Sequence, residues 1–118
     1  MDCKVALPEL IRQRVEQQLT AYCDRKVPKH VRHQVRLAFD FRGNNVTLYE
    51  EREAISKPGS WTRMPIAQFR FNEKASVWSL YCADRSDRWH IYRHAEPVKD
   101  IGALLQALDA DTTGIFWG

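Results

Sequence analysis

Between residues 35 and 93, the sequence alternates apolar and polar residues in short stretches separated by turn-forming residues. A period of two is typical of strands that bury one face, because successive side chains of a strand point to opposite sides. Five strands are predicted in this region, at residues 35–41, 46–52, 66–71, 77–83 and 88–93. The intervening stretch 53–65 contains Pro58, Gly59 and Pro65, so it is predicted to form a long loop.

Amphipathic helices are predicted on both sides of the strands. The first covers residues 8–23 and begins at Pro8, which suits the first turn of a helix because its missing N–H costs nothing there. The second begins at Pro97, repeats apolar residues at three- and four-residue steps, and ends at residues 109–114. Short connections favour antiparallel neighbours. The sequence therefore predicts an α+β domain, a five-stranded antiparallel meander with an N-terminal and a C-terminal helix packed on one face.

Composition limits the class of protein. A chain of 118 residues fits a single domain, residues 1–118, and 44% hydrophobic with 28% charged residues is typical of globular proteins. No apolar run is long enough to cross a bilayer, and residues 1–10 do not resemble a signal peptide. Three widely spaced cysteines without a C-x-x-C motif indicate free thiols. We therefore expect a cytoplasmic protein with no membrane association.

Alternation divides the predicted strands into two faces. The core face is predicted to hold Val35, Leu37, Phe39, Phe41, Val46, Leu48, Phe69, Phe71, Trp78, Leu80, Trp89 and Ile91. The opposite face is predicted to hold Arg36, Asp40, Thr47, Tyr49, Gln68, Arg70, Ser79, Tyr81, His90 and Tyr92. Tyrosine and arginine together suit a surface that stacks on planar groups and pairs with phosphates. The alternatives are that the tyrosines pair across strands, or that the C-terminal residues 115–117 cover this face.

A basic segment precedes the first strand. Residues 1–42 carry nine Lys or Arg against five Asp or Glu, although the whole chain has a formal charge of only +3. Within twelve residues that contain no acid lie Arg25, Lys26, Lys29, Arg32 and Arg36. Such a stripe is typical of contact with phosphates or another anionic partner. The alternative is a solvated segment balanced in space by the acidic run Glu50, Glu51 and Glu53.

Metal binding and catalysis have weak signatures. His30 and His33, with Cys23 upstream, would need a distant fourth ligand to hold zinc, so we expect no metal and no cofactor. No G-x-S-x-G motif or glycine-rich phosphate loop is present. Asp84, Asp87 and His90 could perform acid–base chemistry, but the same residues are typical of a polar hairpin.

Several stretches of the chain carry a resemblance. They are VPKHVRHQVRL (27–37), RGNNVTLYEER (42–52), AQFRF (67–71), WSLYCADRSDRWHIY (78–92) and TGIFWG (113–118). In this order they resemble a family of short bacterial proteins known only as a domain of unknown function. The resemblance implies a bacterial single-domain protein, and it supplies no activity, cofactor or catalytic residue.

The function predicted from the residues is therefore non-enzymatic binding. The predicted ligand surface combines the basic segment, Arg25 to Arg36, with Tyr49, Arg70, Tyr81, His90 and Tyr92. Single-stranded nucleic acid is the favoured ligand because it requires both stacking and backbone charge, and another anionic ligand would meet the same surface. Two alternatives remain open. One is a small enzyme on a phosphorylated or nucleotide substrate, with His90 and Asp84 or Asp87 as acid–base groups. The other is a homo-oligomer whose interface is the aromatic face or the Phe116-Trp117 tail.

Overall fold

The computed structural model describes residues 7–117, which form two helices and five strands. In chain order these are α1 (Glu9–Lys26), a 3-10 turn (Lys29–Val31), β1 (Val35–Arg42), β2 (Asn45–Glu53), β3 (Trp61–Asn72), β4 (Val77–Ala83), β5 (Trp89–Ile91) and α2 (Ile101–Ala110). The strands pair antiparallel in the order β1-β2-β3-β4-β5. The predicted α+β meander is confirmed. Neither α1 nor α2 is long and apolar enough to cross a membrane.

The core lies between one face of the sheet and the two helices. The sheet buries Val46, Leu48, Phe69, Trp78 and Leu80 almost completely. Against them the helices pack Val15, Leu19, Tyr22, Ile101, Leu104, Leu105 and Leu108. Removing this apolar surface from water is the main force that holds the two layers together.

The β1–β2 connection is a two-residue turn at residues 43–44. Gly43 has a φ of +57°, the left-handed region that glycine adopts without steric cost. A positive φ at the first central residue matches the right-handed twist of hairpin strands. This turn fixes the pairing of Arg42 with Asn45 and hence the register of the whole hairpin.

Strand β3 begins earlier than the sequence predicted. Trp61 already pairs with Glu53, so the connection after β2 covers residues 54–60 and the predicted loop 53–65 was wrong. The register with β2 shifts between Leu48 and Tyr49, where Pro65 pairs with Tyr49 and Ile66 is the extra residue. A bulge is one of the few places where a strand accepts proline, which explains why Pro65 does not end the strand.

Strand β5 has the opposite phase to the prediction. Cys82 pairs with His90 and Ala83 with Trp89, so His90 shares the face of buried Cys82 while Trp89 and Ile91 share the face of Tyr81. The five-residue connection 84–88 sets this phase, because a one-residue change in its length would exchange the faces. Asp84 closes the connection by accepting hydrogen bonds from the N–H groups of Ser86 and Arg88 at 2.8 and 2.9 Å.

Helix α2 begins at Ile101 and not at Pro97 as predicted. Before it, Val98 forms a β-bridge with Trp78 through backbone hydrogen bonds of 2.6 and 2.9 Å. Asp100 is the N-cap, and its carboxylate accepts from the Gly102 N–H at 2.8 Å. The same carboxylate receives hydrogen bonds from Arg14 and Gln18 of α1, so it ties the two helices together.

We expect Asp100→Ala to lower the free energy of unfolding by about 1–2 kcal/mol at neutral pH, because it removes a cap. Hydrogen bonds from Arg14, Gln18 and the Gly102 N–H lower the pKa of Asp100 to about 2. A lowered folded-state pKa stabilises the fold above the unfolded pKa of about 4 and loses this effect as the pH falls towards 2. Asp100→Asn keeps the cap, so we expect a smaller loss. Urea unfolding from pH 7 to pH 2.5 checks the prediction, and a difference between Asp100→Asn and wild type that grows in acid would contradict it.

The C-terminal tail packs on the helical side of the molecule. Phe116 is buried and meets the ring of Tyr92 at 4.9 Å, and the Trp117 indole N–H donates to the Leu108 carbonyl at 3.1 Å. Asp111 accepts hydrogen bonds from the backbone N–H groups of Phe116 and Trp117. Phe116 and Trp117 therefore dock on their own domain, whereas Ile115 is 49% exposed. The tail packs on the face that carries Tyr92 and leaves the opposite face of the sheet uncovered.

Candidate functional site

The sheet face turned away from the helices carries arginine, aromatic and amide side chains. We call it the open face. From the strand register it holds Arg36, Asp40, Arg42, Asn45, Thr47, Tyr49, Glu51, Trp61, Arg63, Pro65, Gln68, Arg70, Ser79, Tyr81, Trp89 and Ile91. The sequence predicted this character, and Arg36, Tyr49, Arg70 and Tyr81 do share this face.

The open face is concave and encloses a cavity of about 240 Å³, which we call the trough. Its lining is Asp40, Arg42, Asn45, Thr47, Tyr49, Pro65, Gln68 and Trp89. Strands β1 and β5 lie at opposite edges of the sheet, about 19 Å apart if the sheet were flat. Because residues of both strands line one small cavity, the sheet curls around it.

Three arginines of the open face lie over aromatic rings. The guanidinium carbon is 3.9 Å from the ring centroid for Arg36 over Trp61, 4.2 Å for Arg63 over Tyr49 and 3.9 Å for Arg70 over Tyr81. Each contact is worth about 0.5–1 kcal/mol at an exposed site. These contacts restrict the orientations of the three arginine side chains.

Two carboxylates neutralise one end of the open face. Glu51 accepts from Arg36 at 2.7 Å and from Arg63 at 2.8 Å, and Asp40 accepts from Arg63 at 2.7 Å. The hydrogen bond from Arg36, with that from Arg63, lowers the pKa of Glu51 despite partial burial, and the hydrogen bond to Glu51 raises the pKa of Arg63. This end is therefore a closed network of ion pairs with little charge left for a ligand.

The other end of the open face carries a row of hydrogen-bond donors. Arg42 lies opposite Asn45, Asn45 opposite Arg70, and Arg70 opposite Ser79, so four neighbouring strands contribute one residue each. We call these residues the donor row. Arg70 donates to the Gln68 amide oxygen at 2.6 Å. Among the described residues 7–117, no carboxylate forms an ion pair with Arg42 or Arg70. The donor row thus presents uncompensated positive charge beside the trough.

The basic segment is dispersed by the fold. Arg25 and Lys26 form ion pairs with Asp109 of α2 at 3.5 and 3.1 Å, on the helical side of the sheet. Arg32 donates to the carbonyls of Asp24 and Val27 at 2.8 and 3.0 Å. These cations therefore hold α1 to α2 and close the end of α1.

Two residues of the basic segment behave differently. Lys29 is exposed and forms no ion pair within the described part of the chain, whereas Arg36 lies on the open face. The structure therefore brings only Arg36 of the basic segment together with Tyr49, Arg70 and Tyr81.

Tyr92 and His90 do not join the open face, which corrects their predicted placement. Tyr92 is 4% exposed and packs against Phe116, with its hydroxyl 3.2 Å from that of Thr112. His90 lies 2.7 Å from Asp84, and this contact, with the backbone hydrogen bonds from Arg88 and Ser86, lowers the pKa of Asp84 to about 2. Neither His90 nor Asp84 lines the trough. Asp84 closes the β4–β5 connection, so this pair has a structural role.

Sequence reasoning missed several residues of the open face, among them Trp89, Trp61, Arg63 and Arg42. Trp89 was assigned to the core because its strand was phased wrongly, and the length of the connection 84–88 is the signal that could have corrected it. Trp61 and Arg63 were hidden in a predicted loop, although residues 61–65 alternate weakly. Arg42 was assigned to a turn.

Metal ligands do not gather in the described residues. Cys23 is half-buried, while His30 and His33 are exposed. Within residues 7–117, no group of three or more His, Cys, Asp or Glu side chains has the geometry to hold a metal ion. The expectation that the chain uses no metal or cofactor stays a prediction.

Comparison with known protein families gives a match. A family model described as Domain of unknown function (DUF3024) matches residues 7–118, nearly the whole chain. No curated protein and no solved structure matches the chain. The match confirms the resemblance found in the sequence, and its description assigns no activity.

Proposed function

The chain belongs to this family of unknown function, and from its own residues we propose that it is a non-enzymatic binding protein for single-stranded nucleic acid. The proposed binding site is the trough together with the donor row, and the proposed location is the cytoplasm. The observation that carries the proposal is the position of two arginines without acidic partners directly beside an aromatic-lined cavity.

The donor row supports binding of phosphates. Arg42 and Arg70 supply guanidinium forks, which match the geometry of phosphate oxygens. Asn45 lies between them and Ser79 lies at the end of the row, so uncharged donors continue the same line across the sheet. A backbone that crosses the strands along this row would meet a donor from each strand. The carboxylates of Glu51, toward the other end of the open face, and of Asp40, which also lines the trough, would repel a phosphate backbone and so limit its path to the donor row.

The trough supports stacking of a base. Tyr49 and Trp89 contribute aromatic surface to its lining, and Asn45, Thr47 and Gln68 contribute hydrogen-bonding groups. Unpaired bases expose both faces to such rings, whereas the bases of a duplex are stacked on one another. Stacking and backbone charge are the two requirements of binding single strands without strong sequence preference. The site thus favours single strands over duplex.

A salt titration tests the proposal. Fluorescence anisotropy with labelled 12-nucleotide DNA and RNA single strands is expected to give saturable binding. Two phosphate contacts give a slope of about −1.4 in log affinity against log salt, because single strands release about 0.7 counterions per contact. Affinity should therefore fall about 7-fold between 50 and 200 mM salt. Unlabelled single strands should compete better than a duplex of equal length, and the absence of binding at low salt would refute the proposal.

A further inference from the structure

We propose that the outer edge of β1 is an interface for a second copy of this chain. In this dimer the two β1 strands pair antiparallel about a two-fold axis at Ala38, which joins the two five-stranded sheets edge to edge. The inference does not depend on the proposed ligand, because it rests on strand β1 alone.

The backbone of β1 is arranged to accept another strand. β1 is the first strand of the sheet order, so it pairs with β2 on one side only. The Gln34 carbonyl accepts from the Glu53 N–H at 3.0 Å. Since hydrogen-bonded residues alternate along an antiparallel pair, the even-numbered residues of β1 bond to β2. The odd-numbered residues Val35, Leu37, Phe39 and Phe41 therefore point their N–H and C=O groups outward.

These outward groups have no partner within the described residues. No hydrogen bond to the backbone of Val35, Leu37, Phe39 or Phe41 from outside the sheet is found in residues 7–117. An edge strand with unpaired N–H and C=O groups is a template for pairing with another chain. Proteins that keep such an edge free usually protect it with proline, a bulge or inward-pointing charges. β1 contains no proline, and its register with β2 is continuous from Val35 to Arg42.

Charge complementarity selects one register. Pairing about Ala38 places Arg36 opposite Asp40 of the second copy, and the two-fold axis repeats this pair. In their own chain Arg36 pairs with Glu51 and Asp40 with Arg63, and both side chains still keep accessible surface on the open face, 47% for Arg36 and 54% for Asp40. A shift of the axis to Phe39 would place Arg36 opposite Arg42 and cause repulsion. A shift to Leu37 would place Arg36 opposite Ala38 and shorten the paired segment.

The apolar side of β1 fits the same register. Leu37, Phe39 and Phe41 are only partly buried although they pack on the core. About Ala38, Leu37 lies beside Phe39 of the second copy and Val35 lies beside Phe41. These contacts would cover the exposed parts of the side chains, while the small Ala38 allows close approach at the axis. The two open faces would lie on the same side of the joined sheet and form one continuous surface.

Complementary charge variants test this pairing. We expect the wild-type chain to sediment as a dimer and Arg36→Asp and Asp40→Arg each to sediment as monomers, because each variant opposes like charges at both contacts. An equimolar mixture of the two variants should form a heterodimer, since every contact then joins opposite charges. Arg42→Glu is the matched control, because Arg42 lies on the same strand and face but opposite Gln34 of the second copy. This variant should remain a dimer even if its binding of nucleic acid is lost. Circular dichroism confirms that each variant is folded.

A cysteine at the axis provides a second test that leaves the charges unchanged. In the proposed dimer, Ala38 lies opposite Ala38 of the second copy as a non-hydrogen-bonded pair. The Cα atoms of such a pair are about 4.5 Å apart, within the range for a disulfide. In a Cys3→Ser background, Ala38→Cys should form an intermolecular disulfide in a glutathione buffer, and Thr62→Cys on β3 should not. Burial raises the pKa of the Cys23 thiol to about 11 and also raises that of Cys82, so these native thiols react slowly.

The outcomes decide the proposal. A wild-type chain that stays monomeric up to about 1 mM overturns the proposal, because a dimer with a weaker dissociation constant than this would be negligible. A wild-type dimer that is unaffected by the Arg36 and Asp40 changes, or that does not cross-link through Ala38→Cys, overturns this interface. Should either charge variant be unfolded, the cross-linking result alone decides.

Discussion

Replacing Trp78 by alanine is expected to lower the free energy of unfolding by about 3–5 kcal/mol. Trp78 is 2% exposed, and its ring meets Phe71 at 4.9 Å. It lies where α1, α2 and the sheet converge, beside Val15 and Ile101. Its loss would leave a cavity lined by all three elements, and such a cavity collapses poorly because each element is held elsewhere. For a chain of this size the melting temperature should fall by about 10–20 °C.

Trp61→Ala provides the matched control for this prediction. Trp61 is half-buried on the open face and contacts Arg36 through its ring. Its removal should cost about 1 kcal/mol, the loss of one cation–π contact with limited burial. Urea unfolding followed by circular dichroism measures both variants. Equal losses for the two tryptophans would mean that Trp78 does not join the layers in the way described.

The two layers were predictable because the signals were local and repeated. Alternation at two residues marked all five strands, although the phase of β5 was wrong, and the three- and four-residue spacing marked both helices. The features that were missed depend on contacts between distant residues. Pro65 looked like the end of a loop, yet its pairing with Tyr49 at a bulge keeps β3 continuous. Pro97 looked like a helix start, yet the bridge between Val98 and Trp78 delays the helix to Ile101.

The sequence predicted the chemical character of the candidate site, but not the exact set of residues that form it. Tyr49, Arg70 and Tyr81 were placed on one face correctly because their strands alternate cleanly. Trp89 and Tyr92 were each predicted on the wrong face of the sheet. The reason is that β5 is only three residues long, too short for its own alternation to fix the phase. The pairing of Arg25 and Lys26 with Asp109 brings together residues more than eighty positions apart, which no local pattern indicates.

Replacing Trp89 by alanine is expected to weaken the binding of single strands about 5- to 150-fold. Stacking of a base on an aromatic side chain is worth about 1–3 kcal/mol, and Trp89 supplies the largest ring in the lining of the trough. Ile91→Ala is the matched control, because Ile91 lies on the same strand and face but outside the trough lining. Anisotropy titrations at fixed salt compare the two variants. Equal affinities for Trp89→Ala and Ile91→Ala would exclude stacking in the trough.

The salt dependence separates stacking from charge at the same site. Trp89→Ala removes no positive charge, so its slope in log affinity against log salt should match that of the wild type. Arg42→Ala removes one phosphate contact, so its slope in log affinity against log salt should become shallower by about 0.7. Arg14→Gln carries the same charge change on the helical side, where Arg14 pairs with Asp100, and should leave the slope unchanged. A phosphate contact at Arg42 predicts that Arg42→Ala changes the slope and Arg14→Gln does not. If both variants reduced the salt slope equally, the attraction would come from the net charge of the chain and not from a contact at Arg42.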